Sequence, residues 1–111
     1  MLNEDRKAAV AAYKERKVAA GIYLVRCGAT GECWAGQAPD LSTIRNRVWF
    51  TLRHGSHRQR SLQAAWNAHG ESAFVFEALE RLDEKALEAG RERVMKARLA
   101  HWCAELEAEA V

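Results

Sequence analysis

The sequence predicts a single α/β (α+β) domain with a small three-stranded, mainly antiparallel sheet flanked by helices. Three observations predict it. Gly21–Gly36 reads as a β-hairpin, with two runs of β-branched, aromatic and small residues around a glycine-rich reversal. Leu41, Ile44, Val48 and Leu52 recur three and four apart, as on the buried stripe of a helix. Ala73–Leu82 alternates in the manner of a third strand. A chain of 111 residues supports one modest core and not two.

The first element expected is a helix from Asn3 to about Ala19, forming residues 1–20 and packed on a main unit of 21–111. Asn3 can cap it, Glu4 and Asp5 favour its first turn, and alanines dominate. Val10, Tyr13 and Val18 are its inward candidates. The hairpin follows, with strands Gly21–Cys27 and Glu32–Gln37. Gly28-Ala29-Thr30-Gly31 supplies two positions that tolerate positive φ. Tyr23, Val25 and Cys27 share one face, and Ile22, Leu24 and Arg26 the other. A register without a bulge, Cys27 opposite Glu32, adds Trp34 to the Tyr23 face. Cys27 and Cys33 then point to opposite faces, so no disulfide joins them.

Pro39-Asp40 breaks the pattern, and a helix begins after Asp40, or with Ser42 as its cap, and runs to about His54. Trp49 and Phe50 widen its apolar arc, Arg47 borders the stripe, and Arg45 is turned about 100° from Ile44. Gly55 ends it. A further helix is expected over roughly Arg58–Ala68, with Leu62, Ala65 and Trp66 inward and His69-Gly70 as its stop. In the third strand, Phe74, Phe76 and Ala78 oppose Val75, Glu77 and Leu79, and a structural ion pair is expected for Glu77. Asp83 caps a long final helix to about Glu107, striped by Met95, Leu99, Trp102 and Leu106. Stepping that stripe backwards lands on Glu92 and Glu88. Gly90 inside a helix costs about 1 kcal/mol relative to alanine, which suggests a close approach there.

The composition, 49% hydrophobic and 29% charged, is that of an ordinary soluble globular chain. No apolar run approaches the ~20 residues that span a bilayer, and no secretory leader is evident. Cys27, Cys33 and Cys103 form no metal-type pair and read as reduced core thiols, so a cytoplasmic location is expected. Charge is distributed unevenly. Leu41–Gly70 holds no acid and five arginines (Arg45, Arg47, Arg53, Arg58 and Arg60) besides His54, His57 and His69. From Glu71 onward, ten acids face six bases. An acid-free stretch with five arginines suits a nucleic-acid backbone; the plainer reading is a solvated face paired to the acidic part.

Together, these elements and motifs resemble the GIY-YIG nuclease family, the fold of several group I intron homing endonucleases and of an excision-repair nuclease domain. The resemblance covers roughly Gly21 to His101. Gly21-Ile22-Tyr23 matches the first motif, and Trp34-Ala35-Gly36 stands in the place of the second at the usual separation. Gly55-x-His57, Leu62-Gln63, Ala65-Trp66-Asn67, Gly70 and Phe74-x-Phe76-Glu77 are similar to the family's second-helix and third-strand signature. The resemblance implies a metal-dependent endonuclease or phosphodiesterase acting on nucleic acid, DNA rather than RNA. Glu92 would hold one Mg²⁺ or Mn²⁺, Tyr23 would take part in activating water, and Arg47 or Arg45 would stabilise the phosphate. His57 matches a histidine often found in intron-encoded members, and Gly36 permits close backbone approach. Arg53, Arg58 and Arg60 would hold the backbone of the nucleic acid. Weak sequence specificity is expected, or a protein partner that supplies it.

Two positions depart from the pattern. Trp34 replaces the second tyrosine and has no hydroxyl, and Ile44 falls where the arginine is expected by ungapped counting. They motivate an alternative, a catalytically inactive nucleic-acid-binding module of the same fold. A third reading, an interaction domain using the acidic C-terminal helix, rests on charge alone. Trp34 is then packing or a base-stacking platform. Tyr23 is a catalytic phenol or half-buried packing, and His57 a loop hydrogen bond or a catalytic group. Glu92 is a ligand or a solvated helix residue, and Glu88 at most supports it.

Overall fold

Glycine placement and side-chain alternation set the hairpin, and it forms in the expected register. Strand β1 (Ala20–Cys27) pairs antiparallel with β2 (Cys33–Ala38), with Tyr23 opposite Gly36 and Val25 opposite Trp34. The reversal is closed by Cys27 N–H to Glu32 C=O (2.9 Å) and Gly31 N–H to Cys27 C=O (2.8 Å). Trp34 therefore joins Tyr23, Val25 and Cys27 in one buried cluster. The cysteines among the described residues are all free. This computed structural model describes residues 19–111. The helix expected over Asn3 to about Ala19, and with it the unit 1–20, lies outside the described residues save for its last positions.

Strand β3 (Phe74–Leu82) pairs antiparallel with the other side of β1. Its register slips between Ile22, opposite Glu80, and Tyr23, opposite Ala78, so Leu79 is the extra residue of a bulge. The bulge brings the β3 backbone close to the start of β1. A Cβ on Gly21 would stand 2.0 Å from the Glu80 carbonyl oxygen and 2.6 Å from Leu41 Cδ1. The glycine that opens the first motif is thus required by sterics alone. Glu77 is exposed on this outer strand and forms no ion pair with a described residue, contrary to expectation.

Helix α1 (Leu41–Arg53) is capped by Asp40, whose side chain accepts from Ser42 N–H at 2.9 Å, so the earlier of the two expected starts is the observed one. Leu41, Ile44, Val48, Trp49 and Leu52 are buried, and Gly55 ends the helix with φ +69°. Phe50 does not widen the apolar arc. It lies about 160° from Val48 around the helix, against about 100° for Trp49, and is 60% exposed. Helix α2 (Arg60–His69), capped by Gln59, begins two residues later than expected and buries Leu62, Gln63, Ala65 and Trp66.

The long final helix is shorter than the sequence suggests. Asp83 accepts from Ala86 N–H at 2.8 Å, but it caps a series of turns. Helix α3 (Arg91–Leu106) starts after Gly90, which takes φ +120°, a conformation a helix interior cannot contain. Beyond Glu107, in the left-handed region (φ 52°), β4 (Glu109–Ala110) adds to β2 in parallel. The sheet is therefore four-stranded, in the order β3-β1-β2-β4. Two residues carry no alternation to read, which is why sequence predicts only three strands.

Two buried clusters result. Met95 of α3 meets Ala20 and Leu82, while α1 and α2 pack on the Tyr23 face. On that face six rings form an unbroken series. It runs from Tyr23 to Phe76 (5.4 Å between centroids), Trp49 (6.0 Å), Trp66 (5.5 Å), Phe74 (5.3 Å) and Trp34 (6.3 Å). Among the described residues no helix is long and apolar enough to cross a membrane. Gly21→Ala is expected to lower stability by about 3 kcal/mol, because backbone of β3 cannot yield to a methyl group. Urea titration measures this; a midpoint equal to wild type would contradict the close crossing.

Candidate active site

Tyr23 is the centre of the site and owes its pose to Gly36. A Cβ on Gly36 would lie 2.5 Å from both Cζ and Oη of Tyr23, so the ring occupies the space a side chain would fill. Phe76 stacks on the ring at 5.4 Å with 15° between planes. Held between them, Tyr23 is 3% exposed and lines a cavity of about 410 Å³. That volume falls in the range of small-ligand sites. Arg47 enters from α1, and His57 and Arg58 from the loop between α1 and α2; Ile44 and Val48 supply apolar wall.

Gln63 fixes the loop. Its Oε1 accepts from His57 N–H at 3.0 Å, and its Nε2 donates to the Leu52 carbonyl and to Asn67 Oδ1, each at 3.0 Å. It is the one buried polar side chain among the described residues and ties the end of α1 to the loop that bears the cavity groups. In the sequence Leu62-Gln63 belongs to a motif that gives the glutamine no evident task. The available signal was its position next to Leu62 and three before Trp66, on the buried face of α2.

Protonation follows from burial and charge. His57 Nδ1 accepts from Gln59 N–H at 3.0 Å, which places the neutral ring's proton on Nε2. Burial, reinforced by the Arg58 guanidinium, holds this imidazole below its ordinary range. Burial pushes the Tyr23 phenol up, with Arg58 opposing, so it is protonated at neutral pH and acts as a donor. The cavity thus presents a phenol, an imidazole N–H and two guanidinium groups, and no Asp or Glu stands among its lining residues. Such a donor set suits an anion with several oxygens, above all a phosphate.

The structure brings together Tyr23, Arg47, His57 and Arg58, and not the remaining expected residues. Arg45 lies with its guanidinium carbon 5.7 Å from the Trp49 ring centroid, outside the cavity lining. Arg53 is engaged by Glu71 through Nε (2.7 Å) and Nη2 (2.8 Å), the pairing that the plainer reading of the basic stretch foresaw. Arg60 opens α2, exposed. Trp34 is fully buried and its Nε1 donates to Ser61 Oγ and Glu109 Oε2, both at 2.9 Å. It is a core residue anchoring β4; with no exposed face, it offers no platform for a base. Glu92 sits exposed in the first turn of α3, outside the cavity lining, and Glu88 is exposed in the preceding turns. The helical extrapolation fails for Glu88, because Gly90 interrupts the helix; Glu92, three residues before Met95 within α3, keeps that side of the helix but lies at its exposed first turn.

The divalent ion implied by the resemblance does not fit this cavity. Its charged side chains are guanidinium groups, and its lining holds no Asp or Glu side chain, the usual anchor of a hard cation. Nor do the described residues contain any group of three His, Cys, Asp or Glu that could hold a metal ion.

A lowered His57 pKa has a definite sign. The unfolded chain binds the proton more readily than the folded one, so the contribution to stability is complete above about pH 6.5 and is lost as pH falls below it. Nitrogen NMR of the imidazole is expected to show a titration midpoint below 6.5 and the Nε2–H form above it. A midpoint above 6.5, or the Nδ1–H form, would contradict this geometry.

No protein-family model and no curated protein matches the sequence. Solved structures do match it. The catalytic domain of the homing endonuclease I-TevI superposes with a TM-score of 0.70 at 23% identity, covering 83% of this chain and 97% of that one. A point mutant of the same intron endonuclease's catalytic domain gives 0.69 at 24% identity, over 81% and 86%. The hairpin with its motif glycines, the helices on its Tyr23 face and these superpositions agree: the chain has the fold of a GIY-YIG homing-endonuclease catalytic domain.

Proposed function

We propose that the chain is a nuclease that seats a phosphodiester of DNA in the cavity beneath Tyr23 and hydrolyses it. The observation that carries this reading is the convergence of Tyr23, Arg47, His57 and Arg58 on one cavity whose lining holds no Asp or Glu. In hydrolysis, water oxygen bonds to phosphorus and gives up a proton to solvent, one ester P–O bond breaks, and the leaving oxygen gains a proton in its place. Arg47 and Arg58 would offset the charge that grows on the phosphoryl oxygens. The protonated Tyr23 phenol and the His57 Nε2–H are donors, to those oxygens or to the leaving group. Mg²⁺ or Mn²⁺ and the Glu92 carboxylate enter only through the resemblance; no step here is routed through them.

A second reading, a binding module that has kept the phosphate pocket without turnover, is favoured by two particulars. Glu92 stands outside the cavity, and Trp34 replaces the second-motif tyrosine with a buried indole. Plasmid nicking, run with and without Mg²⁺ or Mn²⁺, separates the two. Nuclease action predicts cutting that falls about 100-fold in Arg47→Ala and about tenfold in Tyr23→Phe, with Arg45→Ala within about twofold of wild type, as for a surface change away from the chemistry. Cutting by Arg47→Ala at the wild-type rate would remove the cavity from the chemistry. A salt-sensitive gel shift without any cutting would establish the binding module instead.

A further inference from the structure

Phe50 is 60% exposed, one of two large apolar side chains among the described residues left so open. A single exposed phenylalanine ordinarily signifies nothing. This one is not isolated. The His54 imidazole lies against its ring, with centroids 4.2 Å apart and 33° between planes. That imidazole is held there, since its Nδ1 lies 2.8 Å from the Phe50 carbonyl, and a carbonyl can only accept. The two rings form a fixed, solvent-facing aromatic surface.

Its location relates it to the cavity. Around α1, His54 lies about 20° and Phe50 about 60° from Arg47, while Val48 and Thr51 carry the same helix wall into the cavity on the other side. Along the axis Phe50 is about 5 Å from Arg47, less than the spacing of successive nucleotides in an extended strand. A phosphate on Arg47 and Arg58 would leave its neighbouring base beside these rings. The surrounding segment is basic, with no acid between Leu41 and Gly70, so the surface matches a polyanion in charge.

We infer that Phe50, backed by His54, is a stacking platform for an unpaired nucleobase next to the phosphate held in the Tyr23 cavity. The inference rests on the phosphate-binding reading above and deepens it: the occupant is a single-stranded or locally opened nucleic acid, because a paired base shows no free π-face. The platform accepts any base, since stacking is indifferent to base edges.

Fluorescence anisotropy with a short single-stranded DNA, intact or carrying abasic residues, tests it. For wild type, removal of the bases is expected to weaken binding about tenfold. Phe50→Ala is expected to bind the intact strand about tenfold more weakly, to lose its preference for intact over abasic strand, and to recover both in Phe50→Trp. Phe50 is exposed, and an unchanged melting curve shows that the variant is folded. A ribonucleotide strand shows which sugar is accepted, either one supporting the base contact. Wild-type binding that ignores base removal, or Phe50→Ala that retains the preference, overturns the platform while leaving the phosphate site intact. Failure of wild type to bind any strand overturns both.

Discussion

Everything at the site follows from the missing side chain at Gly36. With a methyl group there, the Tyr23 ring could not lie where it does, and its hydroxyl would not reach the cavity. The same register that sets Tyr23 over Gly36 sets Trp34 beside Val25, so one hairpin both exposes a phenol to the cavity and sinks an indole into the core. Gly21 plays the corresponding part at the other strand pairing, where the bulged β3 backbone leaves no room for a Cβ. Two motif glycines thus have steric explanations that need no reference to catalysis.

The ring series from Tyr23 to Trp34 fastens α1 and α2 to the sheet and, through them, fixes where the cations stand. Trp49 packs against both Phe76 and Trp66 with Arg45 lying over its ring, while Arg47, two residues on from Arg45, lines the cavity with Tyr23. Gln63 then sets the distance between the end of α1 and the His57–Arg58 loop. The outcome is a cavity at which two guanidinium groups, a phenol and an imidazole converge from three separate elements. Burial keeps both neutral donors in the protonation states that such a site uses.

Much of this was legible in the sequence because it rests on local rules. The hairpin register, the Asp40 cap, the Leu41–Leu52 stripe and the preference for Arg47 over Arg45 as cavity neighbour all follow from strand alternation and helical spacing. What failed were extrapolations across a break. Gly90 with positive φ divides the stretch from Asp83 to Glu107, so Glu88 falls outside the helix, and Glu92 stands at the exposed first turn of α3 instead of midway along a longer helix. Phe50 was misplaced by counting hydrophobicity without angle. The role of Gln63 and the pairing of β4 with β2 depend on long-range hydrogen bonds, which no local pattern encodes.

Arg47, Arg58, His57 and a protonated Tyr23 phenol make the cavity a place for a phosphate, if the proposed function holds. A crystal structure with a bound phosphorothioate dinucleotide tests it most directly. Phosphorus is expected between the Arg47 and Arg58 guanidinium groups, with one of its oxygens within hydrogen-bond distance of Tyr23 Oη. A phosphate seated elsewhere, for instance at the start of α3 beside Glu92 with the cavity left to solvent, would contradict it.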